Sequence, residues 1–377
     1  MSRARPLERR RAPSGLTAAA LFLGLTLTIA ACSTGPIRSS TLAFNGQPTY
    51  VLPTEMCGDY FVAPVRINGE GPFPFLLDTG AGTTTVDPDV ADDVGMGGRA
   101  DLGIGALEVA GARVRESEMD ALSVALGRRI DGILGHPVFG DYLMTYDFEG
   151  DQILLSEGAL SSSDLQVIPT SDGTRPFVRA DIAGESITVL IDTGSSRGLT
   201  LRDLDDYSFG EPVGVTGARM RVDGLHLVES GRLAGSVTLG PMVLTDPVVN
   251  ASVSVDLIGQ KYLANYNLTF DQALNLMGFE WIAPDPEGPI RTDPLRGTGV
   301  IVAPVGDIWQ IIHVDPETEW ESERLEVGDT ITEMNGRLLA DRSCPVPGAD
   351  DVIREWSEYV AVDRSEPVRA RVRELVR

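Results

Sequence analysis

The chain has 377 residues, enough for two or three domains with more than one core. Lys+Arg is 31 against Asp+Glu 55, a formal charge of −24. A surface this acidic excludes sequence-independent nucleic-acid binding, which needs clustered positive charge. A hydrophobic content of 42% is too low for a multispanning membrane protein, and three cysteines make neither a disulfide scaffold nor a zinc module. The three histidines are scattered at positions 136, 226 and 313, so no metal site and no histidine-based triad is expected, nor any cofactor.

Chain order begins with an address segment. Arg3, Arg5, Arg9, Arg10 and Arg11 face a single acid, Glu8, and the apolar run 17–31 stops at Cys32. That run is too short to span a bilayer as a helix, so 1–31 reads as a signal peptide. Ile29-Ala30-Ala31-Cys32 resembles the bacterial lipoprotein cleavage box, in which the cysteine becomes the lipidated first residue. That resemblance implies an envelope protein held by lipid on Cys32, and Ser33 after it favours the outer membrane. Removing 1–31 moves the formal charge from −24 to −28. Residues 32–50 read as a tether. Cys57 and Cys344 would then share an oxidising compartment; they either pair or stay as separate thiols.

The next 230 or so residues say one thing twice. The first copy places Asp78-Thr79-Gly80 after the apolar Phe75-Leu76-Leu77, and the second places Asp192-Thr193-Gly194 after Val189-Leu190-Ile191. Each is preceded by a hairpin signal, Val62–Ile67 with Asn68-Gly69 and Phe177–Ile182 with Ala183-Gly184. Each is followed by an apolar pair and glycine, Ile133-Leu134-Gly135 and Leu257-Ile258-Gly259, and closes on a strand, 144–148 and 268–271. The offset is 114 at the aspartates and 124 at the glycines, so the second copy gains ten residues between them.

This constellation resembles the aspartic proteases of retropepsin-like type, with both lobes in one chain. The resemblance implies a mostly β fold: lobe 1 over 51–160, lobe 2 over 161–282, each a β-barrel, facing a cleft. It implies a polypeptide substrate, with Asp78 and Asp192 sharing one proton around a water, no metal and no covalent intermediate. Thr79 and Thr193 would exchange hydrogen bonds across the lobe interface, and Gly80 and Gly194 would let backbone N–H groups approach the carboxylates. Ser195 would offer a hydroxyl to a carboxylate oxygen, which Ala81 cannot do, and this favours an activity optimum in the weakly acid range. The competing reading is an inactive, protease-like pair serving as a binding scaffold. The ten-residue surplus puts a flap in lobe 2, around 213–228, or else a surface hairpin unrelated to substrate.

Residues 283–294 contain Pro284, Pro286, Pro289 and Pro294 and read as a linker. Beyond it, Gly297-Thr298-Gly299-Val300, Leu325-Glu326-Val327-Gly328-Asp329-Thr330-Ile331 and Met334-Asn335-Gly336 resemble a PDZ domain over 295–377. That resemblance implies binding of an extended peptide on a sheet edge, its terminal carboxylate on backbone N–H groups of Gly297, Thr298, Gly299 and Val300. A helix over 349–359 and a strand over 368–373 are expected to complete the module.

Overall fold

The computed structural model describes residues 39–161, 166–171, 173–221, 224–252, 254–282, 300–305, 308–314, 326–334, 337–338, 344 and 361–363. It is mostly β. The signal peptide with Cys32, the linker, Gly297-Thr298-Gly299, Asn335-Gly336, the 349–359 helix and the 368–373 strand lie outside the described residues. No helix among the described residues is long and apolar enough to cross a membrane.

Alternation builds the first barrel. In Tyr60–Ile67 the side chains of Phe61, Ala63, Val65 and Ile67 are buried, the period of two that puts one face inward. Asn68 and Gly69, both at positive φ, turn the chain into Glu70–Asp78. The strand then pairs in parallel with Gly132–Gly135, which runs antiparallel to Thr84–Val86. Thr84–Val86 pairs in parallel with Leu107–Glu116, which also pairs with Ser39–Thr41 and with Arg99–Ile104; Arg99–Ile104 returns to Tyr60–Ile67. Six strands thus close on themselves, and the sheet has no free edge at this ring.

The second half repeats this order. Phe177–Ile182 pairs with Glu185–Asp192, which pairs in parallel with Leu257–Gly259; Leu199–Leu201 lies antiparallel to the latter and parallel to Val248–Ala251. Ala183 and Gly184 take the same positive-φ turn as Asn68 and Gly69. The strand matching Leu107–Glu116 is broken here at Asp246-Pro247 into Met242–Thr245 and Val248–Ala251, because Asp246 adopts positive φ and Pro247 has no N–H to donate. The two halves are not in strict register. Val62 and Phe177 occupy equivalent places at an offset of 115, whereas the aspartates sit at 114. The pairing irregularity between Val65 and Ile67 absorbs the difference: three steps along Glu70–Phe73 oppose two steps along Val65–Ile67.

A six-stranded sheet joins the halves. Its centre is the antiparallel pair Leu143–Asp147 and Tyr266–Asp271, in which Thr145 faces Thr269. Their hydroxyls are 2.9 Å apart at a sequence separation of 124, which marks the local two-fold axis. Each half adds matching outer strands, Gln152–Ser156 with Thr49–Leu52, and Leu276–Trp281 with Gln166–Pro169. One continuous apolar core runs through both barrels and this sheet.

The surplus residues form a long hairpin, Phe209–Arg221 and Gly224–Leu233, in the second half. The first half has the short helix Pro88–Asp93 at that point. The hairpin is rooted on Val248–Ala251 and extends to the Asp120–Leu126 helix of the first half and to the strand Val300–Val305. That last strand belongs to a separate antiparallel sheet with Ile308–Val314, Thr330–Met334, Arg337–Leu338 and Ala361–Asp363. Glu326 and Asp329 make the turn before Thr330, through the Glu326 N–H donating to the Asp329 carboxylate at 3.0 Å. A disulfide, Cys57 to Cys344, closes a sequence separation of 287 and ties this C-terminal region to the first barrel.

Candidate active site

Both aspartates end buried strands, and the parallel neighbour of each strand ends in glycine: Asp78 faces Gly135 and Asp192 faces Gly259. The glycines are required by contact. A Cβ on Gly135 would lie 2.8 Å from the Ala81 carbonyl oxygen, and one on Gly259 would lie 2.6 Å from that of Ser195. The same two carbonyls accept from the next residues, His136 N–H at 3.0 Å and Gln260 N–H at 2.8 Å. The apolar-apolar-Gly segments therefore hold the Asp loops from beneath.

The threonines interlock the loops. Thr79 N–H donates to Thr193 Oγ1 at 3.1 Å and Thr193 N–H donates to Thr79 Oγ1 at 3.0 Å. The Thr79 hydroxyl then donates across the interface to the Ile191 carbonyl at 2.7 Å. The Thr193 hydroxyl breaks the symmetry and bonds the Tyr146 hydroxyl at 3.1 Å. Both threonines are fully buried. Gln260 secures the second loop further by donating its side-chain N–H to the Thr193 carbonyl.

Each carboxylate meets its own loop and the opposite one. Gly80 N–H donates to Asp78 Oδ1 at 2.7 Å, and Gly194 N–H donates to Asp192 Oδ1 at 2.9 Å. A Cβ on Gly80 would sit 2.6 Å from Asp192 Cγ, and the Asp78 carboxyl likewise fills the space beside Gly194. The two glycines are thus the floor on which the opposite aspartates rest. The carboxyls hydrogen-bond one another. Burial raises both pKa values; for Asp192 the charge of Asp78 adds to the rise, and for Asp78 the bond from Asp192 and the loop N–H groups oppose it. Two such groups cannot both ionise, so the pair holds a proton.

The Ser195 hydroxyl oxygen accepts from the Arg197 N–H at 3.4 Å and so braces its own loop.

Three residues at the site carry no sequence motif. Tyr146 supports Thr193, and burial pushes its phenol pKa up. Tyr60 lies beside the second loop, bonded by Ser196. Arg175 lies near Asp192 and lowers its pKa by charge. Superposing the repeats would have found the last two, since each lies two residues before the equivalent pair Val62 and Phe177.

Two loops, one from each barrel, thus present a hydrogen-bonded carboxyl pair. The aspartyl protease family model matches residues 63–128. The match takes in the Asp78 strand and loop and most of the first barrel. No curated protein matches the chain. A protease-like function is therefore supported at the level of the family domain. Among the described residues, no group of three or more His, Cys, Asp or Glu side chains is placed to hold a metal ion.

Proposed function

We propose that this chain is an aspartic endopeptidase whose two lobes share one site, with Asp78 and Asp192 activating a water against a peptide bond. The observation that carries this reading is the mutual hydrogen bond of the two carboxyls across a two-fold arrangement of Asp-Thr-Gly loops. In that state one carboxylate takes a proton from water as the water oxygen bonds to the scissile carbon, while the protonated partner donates to the carbonyl oxygen. The newly protonated carboxyl then gives its proton to the leaving nitrogen as the C–N bond breaks, and the other carboxylate takes back a hydroxyl proton, which returns the pair to one shared proton. Asp78 and Asp192 are partly buried, and the lowered local polarity strengthens each of these bonds. The long hairpin is read as the flap over the substrate, since it starts in lobe 2 and extends to lobe 1.

The whole protein is read as a lipoprotein anchored by Cys32 on the periplasmic face of the bacterial envelope, with the outer membrane favoured. The Cys57–Cys344 disulfide supports an oxidising compartment. The C-terminal sheet is read as a PDZ-like module for extended peptides. The strands Val300–Val305 and Thr330–Met334, which begin at the ends of the Gly-x-Gly-Val and Gly-Asp-Thr-Ile sequences, support this reading.

The test is cleavage of a mixed peptide library between pH 4 and 7 by the chain from residue 33 onward, read by mass spectrometry beside D192N. Cleavage lost in D192N supports the endopeptidase. Absence of cleavage at every pH overturns it and leaves an inactive binding protein.

A further inference from the structure

The local two-fold axis brings two different side chains to equivalent places around the carboxyl pair. Tyr60 from the first lobe leans on Ser196 of the second Asp loop, and Arg175 from the second lobe leans on Gly82 of the first. Residues 82 and 196 are themselves equivalent, at the aspartate offset of 114. A Cβ on Gly82 would lie 2.7 Å from Thr174 Oγ1 and 3.2 Å from Arg175 Cγ, so the glycine makes room for both the threonine hydroxyl and the arginine stem. The guanidinium stands 4.9 Å over the Phe177 ring, which holds it in place. Arg175 is half-buried, and among the described residues it has no carboxylate in ion-pair contact. The floor of the cleft is therefore cationic beside Arg175, whereas the charge that acts on Tyr60 is the neighbouring carboxylate of Asp59.

We propose that Arg175 is a specificity-determining residue that selects substrates with an aspartate or glutamate side chain on one side of the scissile bond. A guanidinium presents a planar fork of donors to a carboxylate and gains little from an amide of the same shape. The acidic surface, at a formal charge of −24, repels such substrates at long range. Salt confines that repulsion to about 8 Å at physiological ionic strength, so the local cation decides the contact. Tyr60 offers a ring and one bonded hydroxyl on the opposite side, and no charge. The preference is thus one-sided.

This rests on the protease reading, and the experiment separates the two. Matched peptides carrying Glu or Gln at each position within three residues of the cut are compared in wild type and R175M. The Glu/Gln ratio of kcat/KM is expected to be about ten- to a hundredfold at one position, on one side only, and to fall to near one in R175M. The same pairs are ranked as binding affinities on D78N, which reports the preference without catalysis. Wild type without a one-sided Glu preference in either assay, or a preference unchanged in R175M, overturns the inference. A Glu preference in D78N binding that R175M/D78N loses upholds it, whether or not wild type cleaves.

Discussion

A shared proton makes each aspartate indispensable to the proposed site. D78N or D192N removes one half of the pair, and the remaining carboxylate has no acidic partner to polarise a carbonyl. Either variant is expected to lose about 10²–10⁴-fold or more in kcat/KM with the fold kept, judged by circular dichroism. Near-wild-type turnover in one of them would show that the site does not work as a pair. Burial also fixes a stability signature. The folded Asp192 binds its proton to a pH above the ordinary aspartate range, where the unfolded chain has already released it. Its contribution is therefore fully present below the ordinary aspartate pKa and is lost as pH rises through the raised folded value. Asn at 192 cannot ionise, so the melting temperature of D192N relative to wild type is expected to be higher at pH 7 than at pH 4. A gap that is the same at both values would contradict the coupling. The raised pair also holds its proton into weakly acid solution, so the upper limb of the pH–rate profile is expected above that of an isolated aspartate. A hydroxyl introduced by Ala81→Ser would stabilise the charged form of the pair and is expected to lower that limb; an unshifted limb with the fold preserved would show that this position does not tune the pair.

Strands and loops were the legible part of the sequence. The period of two in 60–67 and 177–182, the Asn-Gly and Ala-Gly turns, and the two Asp-Thr-Gly loops all lie where their residues put them, because each is decided by local chemistry. The net surplus of ten is the difference of two local changes: the offset rises from 115 at Thr84 and Leu199 to 135 at Val114 and Val249, across the hairpin, and falls back to 124 at Leu134 and Ile258, where the first half carries the Asp120–Leu126 helix. What periodicity could not reveal is decided across the interface. Tyr146 reads as one buried aromatic of a strand, yet its hydroxyl receives the Thr193 side chain. Phe270, at the matching place 124 residues on, has no hydroxyl, so the asymmetry is visible only once the loops are side by side. The pairing of Cys57 with Cys344 was undecided for the same reason. Tyr146→Phe is expected to destabilise the protein by about 1–2 kcal/mol, since the Thr193 hydroxyl is left buried with its acceptor removed. Urea unfolding with unchanged m-value checks this. An unchanged midpoint would mean that Thr193 finds another acceptor, and the neighbouring loop would then have to move.

At the scale of the molecule, the long hairpin touches three parts of the chain at once. It is rooted in lobe 2, reaches the Asp120–Leu126 helix of lobe 1, and borders the C-terminal strand Val300–Val305. Cys57 sits at the base of that same helix region, in a buried cluster with Leu126 and Ile130 and against Cys344. The disulfide thus fastens the C-terminal region to lobe 1 beside the place where the hairpin arrives. A crosslink over a separation of 287 restricts the unfolded chain strongly, and a native disulfide of this kind is worth about 2–5 kcal/mol. The ring of the first barrel and the strand pairing of the second half form without it. Cys344→Ser is therefore expected to loosen the C-terminal strands first while the two-barrel core stays folded. Limited proteolysis should release a fragment of the C-terminal region from Cys344→Ser, and from wild type under reductant, under conditions where oxidised wild type stays whole. The residual fragment should retain the cooperative melt of the barrels. If the hairpin works as the flap, the same variant should raise KM more than it lowers kcat, because hairpin closure has lost a fixed neighbour and the carboxyl pair is untouched. Identical proteolysis of oxidised and reduced protein would show that the C-terminal sheet is held by its packing on lobe 1 and the hairpin alone, and the crosslink would then have no part in positioning it.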